Sequence, residues 1–227
     1  MRVAIIPARG GSKRIPKKNI KNFAGFPMIY YAINTAIESN LFSRIIVTTD
    51  DEEIVKIAKG LGAEIPFIRN KDLSDDFTPT VPVIADCLSQ IDKDNLIEEV
   101  CCIYPCVPFL TANDLLESYK IFSNNKNCYC FPVIEFPSPI QRALKLENNA
   151  KLKSINEGNE LTRTQDLEPI YYDAGQFYWG SVKTWFENDI LHSDAYGFIV
   201  EGSRFIDIDT QSDWERALLM KEIINKR

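Results

Sequence analysis

The sequence predicts an α/β fold with a mostly parallel central sheet and helices on both faces. Three observations predict it. Short β-like apolar runs alternate with runs of helical period along most of the chain, the pattern of strands joined by crossover helices. The first apolar run, Arg2 to Pro7, leads directly into a polar, glycine-bearing loop from Ala8 to Gly25, the order in which an open sheet delivers a binding loop at a strand's carboxyl end. The 227 residues, 45% hydrophobic and 26% charged, suffice for one sizeable core, so the expectation is a single domain over residues 1–227.

The elements follow in order. Arg2 to Pro7 is apolar enough for a strand buried on both faces. Pro27 suits a first helical position, and Ile29, Ala32, Ile33, Ala36 and Ile37 then repeat at helical spacing. Arg44 to Thr49 reads as a strand, and Asp51 as the cap of a helix carrying Ile54, Ile57, Ala58 and Leu61, with Gly62 as its stop. Glu64 to Ile68 reads as a third strand. Helices fit Thr80 to Ile91 and Thr111 to Phe122; strands fit Val100 to Tyr104, Cys128 to Ile134, Gly175 to Trp179 and Arg204 to Ile208. Thr210-Gln211-Ser212-Asp213 resembles a capping box, with Asp in place of Glu, ahead of a last helix that buries Trp214, Ala217, Leu218 and Ile224. Glu135 to Tyr172 breaks the rhythm, with prolines at 137, 139 and 169 and a polar centre. It is either a solvated excursion or a small inserted lobe that covers the site or meets a second subunit.

Composition excludes several functions. A net charge of −6 gives no bulk attraction for nucleic acid or an anionic membrane. No apolar run approaches the roughly 20 residues that span a bilayer. The N-terminal run is too short for a secretory signal, and the expectation is a cytoplasmic protein. Six cysteines form no Cys-x-x-Cys pair, and with His192 as the one histidine no usual zinc set assembles by spacing. Four of the cysteines lie in apolar, strand-like stretches and are expected as buried free thiols. A lone histidine also weakens any Ser-His-Asp or Cys-His proposal; His192 reads as a structural or surface residue.

The chemistry concentrates in the loop. Arg9, Lys13, Arg14, Lys17, Lys18 and Lys21 place six cations within thirteen residues of an acidic chain. Gly10 and Gly11 allow close backbone approach to an anion, and Ser12 adds a hydroxyl. Such a cluster suits a triphosphate, each charge-assisted contact contributing roughly 1.5–3 kcal/mol. It matches neither the Gly-x-x-x-x-Gly-Lys-Ser/Thr loop nor the Gly-x-Gly-x-x-Gly dinucleotide fingerprint, which counts against a hydride-transferring oxidoreductase. On charge alone a solvated basic loop is an equal reading.

Pro7-Ala8-Arg9-Gly10-Gly11-Ser12-Lys13-Arg14-Ile15-Pro16-Lys17-Lys18-Asn19 resembles the N-terminal signature of the cytidylyltransferases that activate sialic acid and related nonulosonic acids. Thr48-Thr49-Asp50-Asp51-Glu52-Glu53-Ile54 and Phe205-Ile206-Asp207-Ile208-Asp209-Thr210 are similar to two further blocks of that family, in the same order. The resemblance implies a Rossmann-like nucleotidyltransferase domain. It also implies that Arg9, Gly10, Gly11, Ser12 and Lys13 hold the triphosphate of CTP. By the same resemblance Lys18 neutralises the leaving pyrophosphate, Asn19 and Arg69 lie beside the nucleoside, and Thr80 falls in another nucleotide-contacting stretch.

Asp207 and Asp209 are two apart, which on a strand puts both carboxylates on one face, and paired carboxylates suit a hard ion such as Mg²⁺. Acids that merely cap the following helix are the rival reading; the family's metal aspartates match both positions. At the acceptor end the chain departs from the sialic-acid members: Tyr104-Pro105-Cys106-Val107-Pro108 stands for Gln-Pro-Thr-Ser-Pro, and Ala174-Gly175-Gln176 for Asn-Gly-Ala. Asp173 to Gly180 looks more like the pseudaminic-acid branch. Tyr104, Arg142, Arg163, Gln165, Gln176 and Tyr178 are the acceptor candidates, Arg163 first because the sugar carries a carboxylate; packing is the rival reading for the two tyrosines. The implied reaction joins CTP to a nine-carbon sugar acid with loss of pyrophosphate. Pseudaminic acid is the foremost acceptor, and sialic acid, legionaminic acid and Kdo are the alternatives; a non-catalytic nucleotide-binding protein is the further rival, against which the retained Asp207/Asp209 pair argues. The family usually forms dimers.

Overall fold

A computed structural model describes residues 1–156 and 158–226. The elements run β1 (Arg2–Pro7), β2 (Asn22–Phe23), β3 (Phe26–Pro27), α1 (Ile29–Glu38), β4 (Arg44–Thr48), α2 (Glu52–Gly60), α3 (Thr80–Ile91), β5 (Glu99–Ile103) and α4 (Ala112–Ser123). They continue with β6 (Tyr129–Glu135), β7 (Leu144–Leu146), β8 (Leu152–Ser154), β9 (Tyr171–Asp173), β10 (Phe177–Ser181), α5 (Val182–Glu187), β11 (Ala195–Ile199) and α6 (Gln211–Asn225). The central sheet has the order β11-β6-β10-β5-β1-β4, with β9 also paired to β6. β1 is parallel to β4 and β5, and β11 to β6; β10 runs antiparallel to both its neighbours. The expected mostly parallel α/β sheet is present.

Apolar runs without alternation have a simple cause here: both faces of the sheet are covered. Val3 and Ile5 join Ile46, Val100 and Cys102 under α3 and Trp185 of α5. Their neighbours Ala4 and Ile6 face the other way, into Val47, Cys101 and Ile103 under α1, α2 and α4. Val3 through Ile6 are fully buried, so each residue of β1 contributes to a core on one side or the other. Among the described residues no helix is long and apolar enough to cross a membrane.

Several expected elements differ. Pro27 ends a hairpin instead of starting a helix: Ala24 and Gly25 both take positive φ, 48° and 98°, the turn that closes β2 on β3. Glu64 to Ile68 makes one parallel bridge, Glu64 to Ile46, because Pro66 lacks the N–H that a ladder needs. Arg204 to Ile208 forms no strand: a short 3-10 turn at Gly202–Arg204 leads into an extended segment outside the sheet. Its apolar side chains anchor it instead, as described below. In α6, Trp214 and Ala217 are buried and Leu218 is half-buried, but Ile224 is exposed. α5 and β11 were not expected.

The caps behave as the sequence suggests. Asp51 accepts from the backbone N–H groups of Glu53 and Ile54 at 2.8 and 3.0 Å. Thr111 and Asp114 make a full capping box on α4, and Thr210 and Asp213 make another on α6. The six cysteines are free thiols, with Cys87, Cys101, Cys102 and Cys130 buried.

Candidate active site

A cleft of about 660 Å³ opens where β1 and β5 end, its wall including Pro7, Arg9, Lys18, Arg69, Tyr104 and Asp209. What assembles it is a small apolar cluster beside the sheet. Ile15 of the basic loop, Phe23, Phe109, Ile208, Trp214 and Ala217 pack together, with the Phe23 ring edge-on to Trp214 at 5.3 Å. Loop, acidic segment and last helix are far apart in sequence; burying these side chains together brings Lys18 against Asp209. Lys18 Nζ donates to the Ile208 carbonyl at 2.7 Å and lies 3.4 Å from Asp209 Oδ1. Arg14 pairs with Asp209 Oδ2 at 2.9 Å.

The loop's path is held by its polar atoms. Asn19 is buried, and its Nδ2 donates to the Arg9 carbonyl at 2.9 Å. The Gly10 N–H donates to Asp50 Oδ1 at 3.0 Å, and a Cβ on Gly10 would lie 2.5 Å from Asp51 Oδ2. The close approach that requires glycine at position 10 is thus to the Asp50-Asp51 cap of α2, not to an open anion site. Gly11 has open space around it and is not among the cleft-lining residues, whereas Ser12 and Lys13 are.

Acids counter the cations across the cleft. Arg9 and Lys13 reach the two oxygens of Asp76 at 2.6 and 2.5 Å, and Arg9 also donates to the Asp75 carbonyl. Lys13 and then Arg9 hold the Asp76 carboxyl below its usual range. Asp75 accepts from Phe77 and Thr78 and shapes the turn that presents its neighbour. Arg69 is only 4% exposed; its Nε donates to Ser74 Oγ at 3.0 Å, and burial lowers its guanidinium below the usual value. Thr80, the first residue of α3, shares a 2.7 Å hydrogen bond with the Tyr104 hydroxyl.

Asp207 and Asp209 both line the cleft although no strand carries them. Loss of solvent and then the negative neighbour Asp209 raise the Asp207 carboxyl above its usual range. Two crowded carboxylates beside a cationic loop are a donor set that a small hard cation would relieve, so the residues fit Mg²⁺, which completes its shell with phosphate and water oxygens. Among the described residues no cluster of three or more His, Cys, Asp or Glu offers a metal site, so these two would not cage an ion alone.

The acceptor candidates divide. Tyr104 lines the cleft, and burial pushes its phenol up to about 12. Tyr178 stands behind it with ring centroids 5.4 Å apart. Gln176 is buried; its carbonyl accepts from the Tyr104 N–H at 2.8 Å, and it lines a small side pocket together with Cys106 and Asp207. Arg142, Arg163 and Gln165 are not in the cleft. Arg142 donates to the Asn159 carbonyl at 3.3 Å, Arg163 forks onto Asp166 at 2.8 and 3.2 Å, and Gln165 is exposed. All three belong to the excursion, which leaves at β6, folds the β7–β8 hairpin and returns as β9. Asp75, Asp76, Gly175 and Cys106 line the cleft without having been singled out as site residues; the adjacent Asp75-Asp76 pair just after Arg69 was the available signal.

A family model described as cytidylyltransferase matches residues 3–223. The chain belongs to the cytidylyltransferase family. As a cytidylyltransferase it is a nucleotidyltransferase enzyme. It is 40% identical over 225 residues, 97% of this chain and 96% of the other, to a pseudaminic acid cytidylyltransferase of Campylobacter jejuni. Identity is 30% to a CMP-N,N'-diacetyllegionaminic acid synthase of Legionella pneumophila, over 93% of this chain and 92% of that one. The fold resembles a CMP:2-keto-3-deoxy-manno-octonic acid synthetase solved with CTP, at TM-score 0.71 and 14% identity, covering 97% and 98% of the two chains.

Proposed function

We propose that this cytidylyltransferase makes a CMP-activated nonulosonic acid, CMP-pseudaminic acid, from CTP and the free sugar acid. One observation carries the reaction: the cationic loop and the Asp207/Asp209 pair meet in one cleft through Lys18 and Arg14 on Asp209. The choice of sugar rests on the full-length likeness to the Campylobacter jejuni relative. In this reading Arg9, Ser12, Lys13 and Lys18 take the triphosphate, with Gly10 and Gly11 setting the backbone path. Asn19, Arg69 and Thr80 flank the nucleoside. The anomeric hydroxyl oxygen attacks the α-phosphorus, the bond to the bridging oxygen breaks, pyrophosphate leaves, and the hydroxyl proton is lost.

The chain's own residues mainly position and neutralise. Lys18, held by the Ile208 carbonyl, meets the charge growing on the leaving group, and Tyr104 and Gln176 shape the acceptor end. Asp207 and Asp209 would hold Mg²⁺, which when bound supplies positive charge at the phosphoryl oxygens. The domain is read as one unit over residues 1–227, working in the cytoplasm. The excursion is read as a dimerisation lobe: Leu144, Leu146, Leu152, Ile155 and Leu161 are all exposed there, an apolar surface that a second copy would cover. Across such an interface Arg142, Arg163 and Gln165 would serve a neighbouring cleft.

The test is pyrophosphate release with CTP and Mg²⁺ across pseudaminic, legionaminic and sialic acids and Kdo. Fastest release with pseudaminic acid is expected. Preference for legionaminic acid would move the assignment to the branch of the Legionella pneumophila relative.

A further inference from the structure

The partner strand of β6 is interrupted beside the cleft. Cys130 of β6 pairs with Trp179, and Val133 pairs with Asp173. Between those pairs β6 takes three residue steps and the partner takes six, so Ala174-Gly175-Gln176 loops out of the ladder as a bulge. Such bulges re-aim the chain at functional sites. Gly175 at its tip takes φ +59° and lines the cleft. On one side the bulge is tied to the sheet by Ala174 N–H to the Pro132 carbonyl at 2.9 Å. On the other, the Gln176 carbonyl accepts from Tyr104.

One carboxylate closes this bulge from behind. Asp173 Oδ1 accepts from the Gly175 N–H at 2.7 Å. Asp173 Oδ2 accepts both the Tyr178 hydroxyl at 2.7 Å and His192 Nε2 at 2.8 Å. His192 is itself seated edge-on to Phe131 at 5.4 Å, and Phe131 packs on the Tyr178 ring at 5.5 Å. A carboxylate has room for three donors, and charge assistance makes each contact stronger than a neutral one. Removing it would leave the N–H of Gly175, a residue in the left-handed region open to glycine, without its partner.

We infer that Asp173, braced by His192 and Tyr178, is a positioning residue for the sugar-acid acceptor: it fixes the Ala174–Gln176 bulge that forms the acceptor wall of the cleft. Its direct side-chain partners among the described residues are Gly175, Tyr178 and His192, none of them in the phosphate loop, so its influence falls mainly on one substrate. The inference rests on the proposed reaction.

The experiment measures KM for CTP and for pseudaminic acid separately in Asp173→Ala, Tyr178→Phe, His192→Ala and His192→Gln. Asp173→Ala should raise the acceptor KM about tenfold or more, as the loss of charge-assisted bonds implies, with the CTP KM unchanged. Tyr178→Phe and His192→Ala should each raise it several-fold less, and His192→Gln, whose amide can donate to the same oxygen, should restore it. His192 is exposed, so its variants fold even if Asp173→Ala does not. Equal rises in both KM values, or no acceptor effect in the His192 pair, overturn the inference alone. A wild-type enzyme that turns over no sugar acid overturns both the inference and the reaction.

Discussion

The two ends of the cleft are built in different ways. The nucleotide end takes its cations from one run, residues 9–21, and its acids from a second, residues 207–209; a shared apolar cluster and two ion pairs onto Asp209 hold them together. The proposed acceptor end is lined by Tyr104 after β5 and by Gly175 of the bulge at residues 174–176, while Arg142 and Arg163 of the excursion lie away from the cleft of their own chain. The difference teaches where changes in specificity can occur cheaply. An acceptor wall made of a bulge can be altered without disturbing the ion pairs of the phosphate loop.

The largest expected effect tests the nucleotide end. Asp209→Asn should cut turnover by about 10²–10³-fold, the loss typical of a group that stabilises transition-state charge, while the melting temperature stays near wild type. Near-normal pyrophosphate release by that variant would end the metal assignment. A smaller effect tests the other end: Arg163→Ala should raise the acceptor KM about tenfold with the CTP KM unchanged, as loss of one charge-assisted contact implies. No change would leave Arg163 as the partner of Asp166 alone and remove the lobe from the site.

The smallest effect concerns the anchor of the acidic segment. Arg204, just before it, forks onto Asp114 of α4 at 3.1 and 3.0 Å. Burial pushes the Asp114 carboxyl up, but the bonds from Arg204 and Thr111 outweigh it and hold the group below its usual range. A carboxyl depressed in the folded state binds protons more readily when unfolded. Its stabilisation is therefore complete above about pH 4, the ordinary aspartate value, and is lost as pH falls through the lower folded value. Arg204→Met should lower the midpoint by about 3–6 °C near pH 7, from about 1.5 kcal/mol for one charged hydrogen bond at about 2–4 °C per kcal/mol. In thermal melts the gap to wild type should close in strong acid; a constant gap would assign the loss to packing.

The nucleotide end was legible because its signals are local. Six cations and two glycines sit in one loop after a strand, and Asp51, Thr111 and Thr210 announce their helices by cap chemistry. The Asp207/Asp209 pair was found through a strand that does not exist: Ile208 is buried in a side cluster instead of a ladder, and the two carboxylates still reach the cleft. The acceptor end was less legible because its contacts are distant in sequence. His192 meets Asp173 across nineteen positions, and Asp76 meets Arg9 and Lys13 from a turn after Arg69. No periodicity marks either. Pro66 and the Ala24-Gly25 turn explain the misplaced strand and helix start, since each removes or redirects a backbone group that the apolar pattern alone ignores.

The most direct measurement is mass-resolved product formation with CTP, Mg²⁺ and pseudaminic acid. The account predicts stoichiometric CMP-pseudaminic acid and pyrophosphate from the wild-type chain. CTP binding without either product, with this or any other nonulosonic acid, would contradict it.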